Sequence, residues 1–231
     1  MTISFPEFPS ASAVAVERFA SLAPANESIS GPYRRIFKRL LDLSTIVVAV
    51  PIVAPLVVGL AVGVALRGGQ PFYSQSRVGR GGRIFRMWKL RSMVTDADAR
   101  MAGYLSANPA AKAEWDETQK LRNDPRITPF GRFLRRSSLD ELPQLWNVLT
   151  GDMSLVGPRP MMPCQQGLYP GEAYYELRPG ITGYWQTAGR NRTTFSARAA
   201  FDAAYEEHVT LRTDVQILAR TFGVVLRGTG Y

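Results

Sequence analysis

Cysteine and histidine are almost absent from these 231 residues: Cys164 and His208 are the only examples. A single cysteine excludes an intrachain disulfide, and with one histidine beside it the chain lacks the ligands for a Cys/His zinc centre. Cys164 reads as a passive thiol in a reducing compartment. Acids are scarce in one long stretch. Residues 31–91 hold eleven Lys or Arg against one acid, Asp42, so the formal +9 of the chain is gathered there and the rest is close to neutral. A nucleic-acid binder more often spreads its basic charge along a groove or a helix face, so no nucleic-acid partner is expected. Charge gathered in this way suits an anionic leaflet, and it also helps to hold phosphate-bearing substrates. Internal repeats are not apparent, and the length suits one domain with a core plus a membrane element.

Charge of either sign is missing from residues 43–66, LSTIVVAVPIVAPLVVGLAVGVAL. At about 1.5 Å per residue this run is long enough, as a straight helix, to cross a hydrocarbon core of roughly 30 Å. Pro51 and Pro55 lie at its centre, and each removes a backbone N–H and crowds the preceding turn, so a break is expected there. Basic residues flank both ends: Arg34, Arg35, Lys38 and Arg39 before, Arg67, Arg77, Arg80, Arg83 and Arg86 after. Positive charge marks the cytoplasmic side, and neither end reads as an outside end. A helix that enters the membrane, breaks at Pro51 and Pro55 and leaves by the same face satisfies both facts. A spanning helix is the rival reading, because membrane helices tolerate proline.

The remaining chain divides by its punctuation. Residues 1–30, with Pro6, Pro9 and Pro24 and many Ser and Ala, read as a disordered tail. Residues 31–67 form the basic lead-in and membrane helix, and 68–231 a cytoplasmic domain. FYSQSRVGRGGRIFRMWKLRSM reads as a hairpin of short strands turning at Gly79 to Gly82. Residues 96–122 predict one helix or a pair around Pro109, and Ser138 to Leu149 predicts a helix entered through acids. GDMSLVGPRPMMP and RPGITGYWQTAGRNR read as Gly- and Pro-rich loops. Thr194 to Glu207 and Asp214 to Arg227 predict helices. The second carries Val215, Leu218, Ala219, Phe222, Val225 and Leu226 on roughly one face, which suits either the bilayer surface or the domain core.

Asp140 and Glu141, in SSLDELPQLWNVL, are the candidate chemistry. Ser138-x-x-Glu141 also fits a capping box, and acids favour a first helical turn whether or not they react. The same dipole would keep a carboxylate ionised as a nucleophile or metal ligand. Arg132, Arg135 and Arg136 crowd that turn and could neutralise a phosphate. Lys89 and Arg91 leave a strand on one side at spacing two, and Arg159 is fixed between prolines in GPRP.

FKRLLD, SQSRVGRGGRIFRMWKLRSM, DPRITPFGRFLRRSSLDELPQLWNVLTGDMSLVGPRPMMP and LRPGITGYWQTAGRN, in that order, resemble the bacterial sugar transferases, the monotopic phosphoglycosyl transferases. The resemblance covers residues 33–230, and the VLRGTGY ending is most similar to the exopolysaccharide-initiating galactose-1-phosphate transferases. It implies a mainly α fold with a few short β-strands: a monotopic protein of the inner membrane, with a Pro-broken re-entrant helix and a catalytic domain on the cytoplasmic face. The family's Ser-Pro pair at the break is Ala54-Pro55 here. By the match Asp140 is the nucleophile on a UDP-sugar, Glu141 helps bind Mg²⁺, and sugar 1-phosphate passes to undecaprenyl phosphate with release of UMP. Lys89, Arg91, Arg135, Arg136 and Arg159 fall to phosphate, and Gly183, Gln186, Gly189 and Arg190 to the nucleotide. The alternative is a non-catalytic, membrane-docked scaffold of a polysaccharide assembly complex.

Overall fold

The computed structural model describes residues 30–118, 121–188 and 195–226, so the expected tail lies almost wholly outside the described residues. The apolar run forms helix α1, Lys38–Ala65, entered through a π-helical turn, Tyr33–Phe37. Pro51 and Pro55 sit inside α1 without ending it, where the sequence predicts a break. One proline removes one hydrogen bond and bends the helix; the turns on either side keep their own ladder. Among the described residues, Tyr33–Ala65 is the one helix long and apolar enough to cross a membrane. Only 11% of its most apolar window is buried, which is not how a soluble protein places a core helix.

Both ends of α1 are fastened to the domain, and its middle is not. At the start, Tyr33 and Lys38 reach Asp214, and the Asp42 carboxylate accepts the Leu155 N–H at 3.0 Å. Arg39 donates to the carbonyls of Val148 and Leu149, capping a helix C-terminus with a cation. At the end, Ala61 and Val64 pack on Leu90 and Leu134, and the Arg67 guanidinium lies 4.4 Å from the Phe130 ring centroid. Between them Val48 and Ile52 are each 76% exposed.

Strands β1, Phe72–Val78, and β2, Ile84–Leu90, pair antiparallel with Phe72 opposite Leu90, as the alternating sequence predicts. Gly81 and Gly82 take positive φ in the turn, which glycine adopts at little cost. Helices α2, Ala97–Ala107, and α3, Pro109–Thr118, divide at Pro109 as expected. Next come α4, Pro129–Arg136, a 3-10 turn, Leu139–Glu141, and α5, Gln144–Thr150. The single helix expected from Ser138 to Leu149 is thus a tight turn followed by a shorter helix.

Each of the two stretches read as loops contains a strand. Strand β3, Ser154–Val156, runs parallel to β4, Gly180–Thr182, with the short helix α6, Ala173–Glu176, between them. Three residues are too few to leave an alternating pattern, and only the tertiary pairing exposes them. Gly157, Gly180 and Gly183 close this pair: a Cβ on Gly180 would stand 2.1 Å from the Gly157 nitrogen. Beyond β4 lie α7, Tyr184–Ala188, α8, Arg198–Glu207, and α9, Leu211–Leu226. The core gathers Phe85, Met87, Val148, Val156, Phe201 and Ile217 between hairpin, short sheet and C-terminal helices. The apolar face predicted for α9 is divided: Leu218 packs on the core, whereas Val215 and Phe222 are exposed.

Asp214, 1% exposed, accepts the Lys38 ammonium at 2.7 Å and the Tyr33 and Tyr205 hydroxyls at 2.8 and 2.6 Å. Removing one partner strands a buried charge. Lys38→Met is therefore expected to cost about 3–5 kcal/mol, read from urea unfolding of the protein in detergent micelles.

Candidate active site

The site is assembled around the end of β2. The alternation that buries Phe85 and Met87 carries Lys89 to the same face. Its ammonium meets the Glu141 carboxylate at 2.7 Å across 52 residues of sequence. Asn147, buried in α5, donates to the Arg86 carbonyl at 2.7 Å and accepts the Trp88 N–H at 3.0 Å. A side-chain amide thus satisfies backbone groups of the free edge of β2 and fixes α5 against it. Arg91, next on the alternation, turns away: it donates to the Gln70 carbonyl and lies 5.7 Å from the Tyr73 ring centroid.

Helix α4 is set down on the chain leaving β2. Thr128 caps it, accepting the Gly131 N–H at 2.9 Å, and Pro129 takes the first helical position. A Cβ on Gly131 would stand 1.9 Å from the Ser92 carbonyl oxygen, so only glycine permits this approach. Arg135 donates to the Ser92 hydroxyl at 2.8 Å, and its charge faces Asp140. Arg132 and Arg136 are exposed.

The capping box read from Ser138-x-x-Glu141 is not formed. Ser138 adopts φ 57°, a conformation rare outside glycine, and its side chain makes no cap hydrogen bond. The positive φ swings the chain from α4 into the 3-10 turn, and Glu141 pairs with Lys89. Asp140 is 7% exposed. Burial holds its carboxyl above the usual carboxylate range; the Lys89 charge pulls it back, Glu141 pushes it further up, and Arg135 pulls it down.

The opposite wall is the GPRP loop after β3, with α7 behind it. Arg159 reaches within 4.0 Å of Glu141, and its guanidinium lies 5.8 Å from the Trp185 ring centroid. Tyr184 and Trp185 are both core residues. Gly183 spends its missing side chain on the Gly157 carbonyl, 2.2 Å from where its Cβ would be. Gln186 is buried, with neither side-chain polar atom partnered among the described residues. Gly189 and Arg190 lie outside the described residues. Lys89, Arg135, Asp140, Glu141 and Arg159 are therefore brought together, while Arg91 is not. Two arginines that the sequence did not mark for phosphate, Arg77 and Arg198, join Arg159: each is half-buried and feels its charge. Arg77 stands on β1, where the sequence shows it only as part of the basic flank of the apolar run, and Arg198 opens α8.

Among the described residues no group of three or more His, Cys, Asp or Glu is placed to hold a metal. A magnesium ion needs less, because one or two carboxylates suffice when phosphate oxygens and water supply the rest, and adjacent Asp140 and Glu141 fit that demand.

A carboxylate pair ringed by cations, on a domain fastened to an apolar helix, has the charge pattern of a phosphate site beside a membrane-compatible element. The chain belongs to the bacterial sugar transferase family, whose profile matches residues 33–228. It is 46% identical over 198 residues to the UDP-galactose-lipid carrier transferase of Erwinia amylovora, covering 85% of this chain and 42% of that protein. It is 45% identical over the same length to the undecaprenyl-phosphate galactose phosphotransferase of Salmonella typhimurium, again 85% of this chain and 42% of the relative. The chain thus spans less than half the length of these two relatives. With the exopolysaccharide production protein ExoY of Sinorhizobium fredii it shares 38% identity over 91% of this chain and 95% of that one.

Two outcomes test the geometry. Lys89→Met removes a cation that favours the ionised form, so the Asp140 carboxyl, followed by carbon-13 NMR, should titrate at still higher pH than in the parent. Because the folded-state value is raised, this group lowers stability as pH rises through the window between its ordinary and its raised value, and the variant extends that window upward. Gly131→Ala places a methyl group on backbone and should lower stability by about 3 kcal/mol or more in urea unfolding.

Proposed function

We propose that the chain transfers hexose 1-phosphate, with galactose as the hexose, from a UDP-hexose to undecaprenyl phosphate, opening the synthesis of a surface polysaccharide. The observation that carries this reading is buried Asp140 beside Glu141, with Lys89, Arg135 and Arg159 converging on the same turn. The family match supports the reaction class, and the names of the two galactose relatives support the sugar.

In the first step an Asp140 oxygen attacks the β-phosphorus of the UDP-hexose. The bond from that phosphorus to the bridging oxygen breaks, and its electron pair leaves on UMP. In the second, a phosphate oxygen of the lipid attacks the aspartyl phosphorus, releasing the carboxylate and forming the lipid diphosphate sugar. The raised affinity of Asp140 for a proton makes its carboxylate more nucleophilic once ionised, and Lys89 and Arg135 favour the ionised form. Arg159 screens charge on the phosphate oxygens, as phosphoryl transfer demands. Glu141, with Asp140 beside it, would hold Mg²⁺, which when bound supplies positive charge to the phosphate oxygens.

The membrane element is read as a re-entrant helix that enters and leaves by the cytoplasmic face of the inner membrane. What supports this is that residues 33–46 and 60–67 both contact the one domain, although a straight 28-residue helix would separate its ends by about 42 Å. The exposed apolar middle then lies in lipid, and the site faces both a soluble nucleotide sugar and a lipid phosphate.

Asp140→Asn tests the assignment, since it keeps size and removes the nucleophile. Incubated with Mg²⁺ and UDP-galactose without lipid, the parent should release up to one UMP per chain and retain the sugar phosphate, seen by intact-protein mass spectrometry. The variant should release none while its stability shifts by less than about 1 kcal/mol. Normal turnover in the variant overturns the mechanism.

A further inference from the structure

Two guanidiniums stand outside the catalytic turn. Arg77, on β1, donates to the Pro160 carbonyl at 3.0 Å and to the Gln75 side-chain oxygen at 2.6 Å, and its Nε is buried with no partner among the described residues. Arg198, at the first position of α8, lies 4.1 Å from the Trp185 ring centroid and 4.7 Å from that of Phe195; its Nε is likewise buried, with no partner among the described residues. Arg159 connects them to the turn, with Glu141 on one side and Trp185 on the other.

Negative charge balances this group only in part, since Glu141, 4.0 Å from Arg159, is already paired with Lys89 at 2.7 Å. Among the described residues no carboxylate comes within 4.0 Å of Arg77 or Arg198. Asp202 faces Arg198, but burial pushes its carboxyl up to about 7, and it accepts the Tyr169 hydroxyl at 2.9 Å. Burial, with the charge of Arg159 next, lowers Arg77 and Arg198 to about 10. Gln186, next to Trp185 on α7, adds a buried amide with both polar atoms unpartnered among the described residues. Clustered, half-buried cations with buried, unused donors are costly unless an anion with several acceptor oxygens joins them.

We infer that Arg77, Arg159 and Arg198 form a phosphate subsite on the side of the reacting phosphorus away from Asp140, occupied first by the phosphate of the leaving nucleotide and then by that of the lipid acceptor. The inference rests on the two-step reading above. In-line displacement puts the leaving oxygen opposite the Asp140 oxygen, and the second displacement brings the acceptor oxygen to the side that the first leaving group vacated. One set of cations therefore serves two phosphates in turn. The location agrees: Leu139, adjacent to Asp140, packs toward α1, whereas Arg159 leads from Glu141 toward Trp185 and Arg198.

Binding of single ligands, without turnover, tests this on the full chain in detergent micelles. UMP, a short-chain isoprenyl phosphate and uridine are each measured by equilibrium dialysis against the parent, Arg198→Gln and Arg77→Gln. Loss of one charge-assisted contact should weaken both UMP and isoprenyl phosphate about tenfold or more and leave uridine unchanged. Arg198→Lys, which keeps the charge and loses the fork, should fall between and stands in where Arg198→Gln does not fold. Unchanged affinity for both phosphates overturns the subsite. Weakening of UMP alone, or of isoprenyl phosphate alone, overturns its shared use. Because neither ligand reacts by itself, this result stands apart from the Asp140→Asn experiment: an active Asp140→Asn protein would sink the mechanism while leaving the phosphate affinities as measured.

Discussion

The Asp214 carboxylate is the interaction on which the arrangement depends. It is buried in α9 and joined to Tyr33, Lys38 and Tyr205, so it ties the start of the apolar helix to the last helix described, 176 residues on from Lys38. A helix whose middle exposes Val48 and Ile52 has no apolar contact there to hold its angle to the domain. Directional bonds at one end and the Ala61, Val64, Leu90 and Leu134 cluster at the other supply that angle. Because Leu90 ends the strand that carries Lys89, and Leu134 belongs to the helix that leads into Ser138, the same contacts set the helix beside the Asp140–Glu141 turn.

The site itself is an electrostatic compromise. Burial of Asp140 opposes ionisation, and the cations around it oppose that effect. Farther out the balance is reversed, with Arg77, Arg159 and Arg198 crowded together and Asp202 made a weak counter-charge by its own burial. A domain of this size tolerates such an arrangement because the backbone around it is closely set. Gly131 lies against Ser92, and Gly157 against Gly180 and Gly183, at separations that any side chain would forbid. Those approaches spend conformational freedom on rigidity, and Ser138 adds a strained turn at the residue that aims Asp140 and Glu141.

The sequence by itself determined what rests on local pattern. The charge-free run, its basic flanks, the hairpin with its glycine turn, the division at Pro109 and the neighbouring Asp140 and Glu141 are read from adjacent residues, and the order of motifs suffices for the family. It misled where a local pattern had two uses. Ser138 and Glu141 have capping-box spacing, yet Glu141 finds a stronger partner in Lys89. Only tertiary structure decided which cations meet the carboxylates, since Lys89 and Arg159 approach Glu141 from separate elements while Arg91, equally placed by alternation, turns to Gln70. It alone paired the three-residue strands, set both ends of the apolar helix on one domain and gathered Arg77 and Arg198 around Arg159. The physical reason is the same each time. Periodicity and punctuation report what a residue does with its neighbours in sequence, whereas a salt bridge or a charge cluster is fixed by the packing of segments far apart in the chain.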